Sequence, residues 1–160
     1  MYTKTIMMDQ EKALNAVARQ CSRKEMCSND IRKKLERWEV PAEAIEKIIL
    51  FLQNHQFIDD TRYAKIYAED KFHFNHWGKQ KIFQMLKQKG IASDIIEEAL
   101  KHITSEAYNE SCVEILKQKY RAITETDPYK VRGKLTRFAI CRGFDYDTVK
   151  RSLDQLFAQY

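Results

Sequence analysis

The stretch KIFQMLKQKGIASDIIEEALKHI (Lys81–Ile103) carries large apolar residues at Ile82, Leu86, Ile91, Ile96, Leu100 and Ile103. Their spacings follow a helix face, not the strict alternation of a strand. Gly90 interrupts the pattern where a helix must end in a left-handed residue, and the apolar Ile91 follows it as such an ending requires. The stretch reads as two amphipathic helices joined by a tight turn.

The same frame occurs on either side. Fifty-one positions earlier, NDIRKKLERWEVPAEAIEKIILFL places Ile31, Leu35, Val40, Ile45, Ile49 and Leu52 in the matching places. Fifty-three positions later, GKLTRFAICRGFDYDTVKRSLDQLF supplies Leu135, Ala139, Phe144, Val149, Leu153 and Leu156. Ala139 is the one small residue in the set. A repeat of this length marks a tandem architecture. Gly143 matches Gly90, whereas Glu39 stands in that place in the first copy. Pro41 suits the first turn of a following helix, and Asp127-Pro128 is a start signal of the same kind. Ahead of each pair lies a further amphipathic segment, roughly Asp9–Ser22, Thr61–Phe72 and Glu106–Lys119. The reading is all-α: three three-helix units at 9–58, 59–104 and 105–160.

Bulk composition agrees. Only four glycines and two prolines leave little material for hairpin turns, while 44% apolar residues suffice for a core. The net charge of +5 suits an anionic partner without demanding one. Cys21, Cys27, Cys112 and Cys141 form no C-x-x-C pair or compact framework, and no signal peptide is expected. They read as reduced thiols in a soluble cytoplasmic protein. No apolar run approaches the ~18 residues that span a bilayer.

The second unit begins with FIDDTRYAKIYAEDK (Phe57–Lys71). Its paired carboxylates could be a site, but Asp59 or Asp60 at a helix start has a simpler role, accepting hydrogen bonds from unpaired backbone amides. Tyr63, Ala64, Tyr67 and Ala68 then make one buried face. Acids at the starts of the last helices (Glu43, Asp94, Glu97, Glu98, Asp145 and Asp147) are explained by the helix dipole.

The middle helices are basic along their length. Lys79, Lys81, Lys87 and Lys89 occur without an acid between them, as do Lys130, Arg132, Lys134, Arg137 and Arg142. In the first unit Arg32, Lys33, Lys34 and Arg37 are diluted by Asp30, Glu36 and Glu39. Stacked units would line these cations into a strip, although a solvated lysine-rich face accounts for the charge equally well.

Signals for catalysis are thin. Cys27 lacks an adjacent base and sits at a helix start, where a buried thiol is the simpler reading. His73 and His76 could share a metal, but further ligands at suitable spacing are missing, so no metal or cofactor is expected. No phosphate loop, Ser-His-Asp arrangement or H-E-x-x-H is present, and no enzymatic activity is expected. The aromatic run KFHFNHW (Lys71–Trp77) could stack on bases or pack between helices.

The segments RKEMCSNDIRKKL (Arg23–Leu35), FIDDTRYAKIYAEDK, GKQKIFQMLKQKGI (Gly78–Ile91) and KLTRFAICRGF (Lys134–Phe144) resemble successive signatures of the bacterial RecX regulators of recombination. The resemblance covers about residues 10–158. It is most specific in the middle, where Asp60, Arg62, Ala64, Gly78, Leu86, Lys89, Gly90 and Ile91 fall in the family's order and spacing. It implies an elongated, curved array lying in the groove of the RecA–DNA filament. It further implies a non-catalytic modulator that limits ATP hydrolysis, strand exchange and co-protease activity, affecting recombination and repair. The filament-facing residues would be Lys79, Lys81, Lys87, Lys89, Lys130, Arg132, Lys134, Arg137 and Arg142, on a monomer that meets DNA weakly or through the filament. A stand-alone basic helical nucleic-acid-binding protein is the alternative. Three positions depart from the family pattern. Cys27 replaces a capping serine, so the first unit is expected to fray; Glu39 replaces a helix-ending glycine; Ala139 replaces a larger core residue.

Overall fold

The structure, a computed structural model, describes residues 9–160, so the reading of the first residues as lacking a signal peptide lies outside it. Among the described residues nine helices follow one another: α1 (Gln10–Cys21), α2 (Ser28–Arg37), α3 (Ala42–Asn54), α4 (Asp60–His73), α5 (Lys79–Gln88), α6 (Ser93–Leu100), α7 (Ser105–Ala122), α8 (Pro128–Cys141) and α9 (Tyr146–Phe157). No strand occurs among the described residues. Helices pack mainly within the triplets α1–α3, α4–α6 and α7–α9. All eighteen repeat positions are buried, Ala139 included, as the helical period requires.

The turn between the middle and last helix is built identically in all three units. Gly90 (φ 76°) and Gly143 (φ 97°) adopt the left-handed conformation, and so does Glu39 at φ 56°. In each, the next amide reaches back five residues: Val40 to Leu35 (3.1 Å), Ile91 to Leu86 (3.2 Å) and Phe144 to Ala139 (3.2 Å). Glu39 thus keeps the geometry that its side chain put in question. It is exposed, so its Cβ has room, but the backbone strain of a non-glycine residue remains.

The apolar interior falls into two clusters. One belongs to the first unit and runs from Ala13 and Val17 through Ile31 and Leu35 to Ile58. The other is continuous through the second and third units, from Tyr63 to Leu156, and it also takes in Cys27. The first unit therefore holds a core of its own, joined to the remainder by one buried thiol and a set of polar contacts.

Helix starts show how the units are joined. Asp59 caps α4 by accepting from the Arg62 amide (3.1 Å), Thr104 caps α7, Asp127 caps α8, and Asp145 caps α9. Partial burial alone would raise the Asp145 carboxyl, but the amide and hydroxyl of Thr148 hold it below its ordinary value. Helices α2 and α5 begin at Cys27 and Gly78, neither of which offers a side-chain cap. Their amides are satisfied from the following unit.

Candidate functional site

At the start of α2, the Ser28 amide donates to Asp60 Oδ1 (2.8 Å) and the Ser28 hydroxyl to Asp60 Oδ2 (2.6 Å). Of the two aspartates, Asp59 serves its own helix and Asp60 serves the neighbouring unit. The fraying expected from Cys27 is thereby corrected: the cap is supplied from thirty-two positions away. The Cys27 thiol points at the Lys89 carbonyl at the end of α5 (3.9 Å). Around this contact, Arg62 pairs with Glu25 at 2.9 Å and Lys89 with Asp30 at 3.2 Å. The Lys89 ammonium also lies 5.8 Å from the centre of the Tyr63 ring. Burial alone would lower its pKa, but the bonds to Asp30 and Tyr63 raise it above the ordinary lysine value.

The second junction repeats the first. Gly78 donates its amide to the Arg142 carbonyl (2.7 Å) and Gln80 to the Gly143 carbonyl (3.1 Å). The Lys79 amide donates to the Tyr108 hydroxyl (3.1 Å), so the first helix of the following unit again supplies the acceptor. Backbones approach so closely that a Cβ on Gly78 would lie 2.2 Å from the Gly143 carbonyl carbon. One on Gly143 would lie 2.6 Å from the Lys81 nitrogen. Glycine is required at both positions for space, and at Gly143 for its backbone angle as well. Tyr108 stacks on Phe144 with ring centres 4.9 Å apart, and burial pushes its hydroxyl up to about 12.

Cys27 and Gly78 occupy the same place in the repeat, as do Lys89 and Arg142. The two junctions are therefore one contact made twice. The carbonyl end of α8 abuts the amide end of α5, and the carbonyl end of α5 abuts the amide end of α2. The three middle helices thus follow one another head to tail, carbonyl end to amide end. The same helix ends meet at both junctions, which brings the basic helices into one series.

Within that series the nine cations divide. Lys89 is committed to Asp30, Arg132 pairs with Asp154 (2.6 Å), and Arg142 donates to the Asn75 carbonyl across the second junction (3.1 Å). Lys79 and Lys81 lie over the rings of Tyr108 and Trp77, at 5.0 and 4.5 Å from their centres, and make no ion pair among the described residues. Lys134 approaches Glu125 at 4.0 Å. Lys87, Lys130 and Arg137 are exposed and enter no ion pair among the described residues. On α8, Lys130, Lys134 and Arg137 fall at i, i+4 and i+7, one outward stripe opposite the buried Val131, Leu135 and Ala139. Lys81 holds the place on α5 that Lys134 holds on α8. The motif residues go elsewhere: Asp60, Arg62, Gly78 and Gly90 sit at junctions, while Ala64, Leu86 and Ile91 are buried.

The groups considered for catalysis separate in the fold. Cys27 is fully buried, and desolvation lifts its thiol to about 11, which keeps it protonated near neutrality. His73 and His76 border an open cleft with Glu110 and Glu114, and no group of three or more potential metal ligands occurs among the described residues. The KFHFNHW run divides as well: Phe72 is core, Phe74 is exposed, and Trp77 lies between the ammonium groups of Lys71 and Lys81. No helix among the described residues is long and apolar enough to cross a membrane. The junction partners Glu25, Ser28, Asp30 and Tyr108 escaped sequence reasoning. Their signal was the missing cap at Cys27 and Gly78 set against the present one at Asp127.

Three family models match the chain: the first RecX three-helix domain over residues 13–52, the second over 59–100 and the third over 106–153. The chain is 35% identical over 131 residues to Regulatory protein RecX of Clostridium beijerinckii, covering 81% of the chain and 61% of the relative. With Regulatory protein RecX of Clostridium botulinum (strain Alaska E43 / Type E3) it shares 35% identity over 141 residues, 87% of the chain and 66% of the relative. It therefore spans about three fifths to two thirds of the length of these relatives. The crystal structure of RecX from Lactobacillus salivarius matches in fold with a TM-score of 0.86, at 23% identity, over 93% of this chain and 97% of that one. A further crystal structure of regulatory protein RecX gives a TM-score of 0.84 at 28% identity, over 91% of this chain and 71% of that one.

Proposed function

The chain belongs to the RecX family of regulatory proteins, and we propose that it binds the RecA–DNA filament and modulates it, mainly by inhibiting ATP hydrolysis, strand exchange and co-protease activity. The observation that carries this reading is the head-to-tail run of α8, α5 and α2, because a linear series of equivalent helices suits a polymer with repeating subunits. The units 9–58, 59–104 and 105–160 act as one tethered ligand. Each makes modest contacts, and tethering multiplies them through effective concentration. Lys79, Lys81 and Lys87 of the second unit and Lys130, Lys134 and Arg137 of the third form the contact surface. Lys89, Arg132 and Arg142 support it through their intramolecular partners. A monomer suffices, and the role is regulatory, without catalysis.

The test is charge reversal at Lys81 and Lys87, neither of which makes an ion pair between units. The double variant Lys81→Glu/Lys87→Glu should co-sediment poorly with assembled filaments of the cognate recombinase and lose inhibition of DNA-stimulated ATP hydrolysis. Its helical circular dichroism should be unchanged. Undiminished inhibition by the folded variant would remove this surface from the proposal.

A further inference from the structure

The face of α8 that would continue the series is open. In the first two units, the position after the start of the middle helix packs on the following unit: Asn29 lies against Gly90, and Gln80 bonds to Gly143. The matching residue in the third unit is Gly133, and nothing lies within 4 Å of where its Cβ would be. A glycine inside a helix is destabilising relative to alanine. Neither packing nor backbone angle demands it here. It lines an open cleft of about 540 Å³ together with Tyr129, Tyr146, Lys130, Lys134 and Arg137.

The two tyrosines are 87% and 61% exposed, with no aromatic partner among the described residues. Nearby acids are largely engaged: Asp127 caps α8, Asp154 holds Arg132, and Glu125 accepts from the Thr126 and Asp127 amides and approaches Lys134. Lys130 and Arg137 stay unpaired among the described residues. Exposed rings interleaved with unpaired cations, over a strip of bare backbone, match a chain of flat bases linked by phosphates. A duplex hides those base faces, and an acidic peptide would leave the tyrosines unused.

We infer that this cleft binds single-stranded nucleic acid, with bases stacking on Tyr129 and Tyr146 and phosphates meeting Lys130, Lys134 and Arg137. Gly133 admits the strand to the helix backbone. The site shares Lys130, Lys134 and Arg137 with the filament-facing surface proposed above, but its assay contains no recombinase, so the two readings fail separately.

The experiment is fluorescence anisotropy of a labelled 15-mer oligodeoxynucleotide without self-complementarity, titrated with the whole chain at several salt concentrations. Two to three neutralised phosphates give a log–log salt slope of about −1.4 to −2.1. Tyr129→Ser and Tyr146→Ser should each weaken binding roughly fivefold to a hundredfold, the range expected for one lost stack. Gly133→Ala is the discriminating variant, expected to raise the thermal midpoint yet weaken binding. Absence of binding, equal affinity for a duplex of the same length, or full displacement by polyglutamate would overturn the inference. So would serine variants that bind as tightly as the parent.

Discussion

Asp60→Ala is the sharpest probe of how the units are joined. The substitution leaves α4 its own cap, because Asp59 accepts from Arg62. It removes both acceptors used by Ser28, at 2.8 and 2.6 Å. Loss of an N-cap costs about 1 kcal/mol. The short bond from a hydroxyl to a carboxylate contributes about 1.5 kcal/mol at the low end for charged partners, which suits a half-exposed group. Together these give about 2.5 kcal/mol, a roughly seventyfold rise in the opening equilibrium of whatever unit depends on the bond. Because the first unit has a separate core, the effect should stop there. Native-state hydrogen exchange read by mass spectrometry should show α2 and its neighbours exchanging about seventy times faster, with α8 and α9 unchanged. Equal acceleration in all three units would refute the separation of cores, and none in α2 would refute the capping.

Other variants test neighbouring features. Glu39→Gly should stabilise the chain by about 1 kcal/mol in urea denaturation, by relieving a left-handed backbone without loss of packing. Gly143→Ala should cost about 3 kcal/mol or more, since the added Cβ would meet Lys81 at 2.6 Å and below; a thermal midpoint near that of the parent would contradict the close approach. Alkaline pH should also destabilise the fold. Burial raises Cys27 and Cys112 from 9.0 to about 11, so stability is complete below pH 9 and is lost as pH rises towards 11, by at most about 2.7 kcal/mol per thiol. Denaturation midpoints between pH 8 and 11 measure the slope, and Cys112→Ala should flatten it.

Helix triplets and core positions were legible in the chain because both arise from local periodicity. A residue every third or fourth position faces the same way whatever surrounds it, so Ile82, Leu86 and their counterparts could be assigned to the interior directly. The turn at Gly90 and Gly143 was equally readable, as it depends on a backbone angle that few residues tolerate. Glu39 was harder: its own cost argued against the turn, and neighbouring hydrogen bonds outweighed it.

Junctions and surface obeyed a different logic. Lys89 looks like Lys87 along the chain, yet one is bound to Asp30 while the other is exposed and makes no ion pair among the described residues, a difference set by a partner fifty-nine positions away. Arg132 and Arg142 were spent likewise, on Asp154 and Asn75. Cys27 read as a weakened cap, whereas the fold buries its thiol and brings Asp60 to the exposed amide. Local order thus followed from spacing along one helix. Which charges stay available, and how each brick grips the next, followed from contacts between helix ends distant in the chain, where no period along the sequence carries the information.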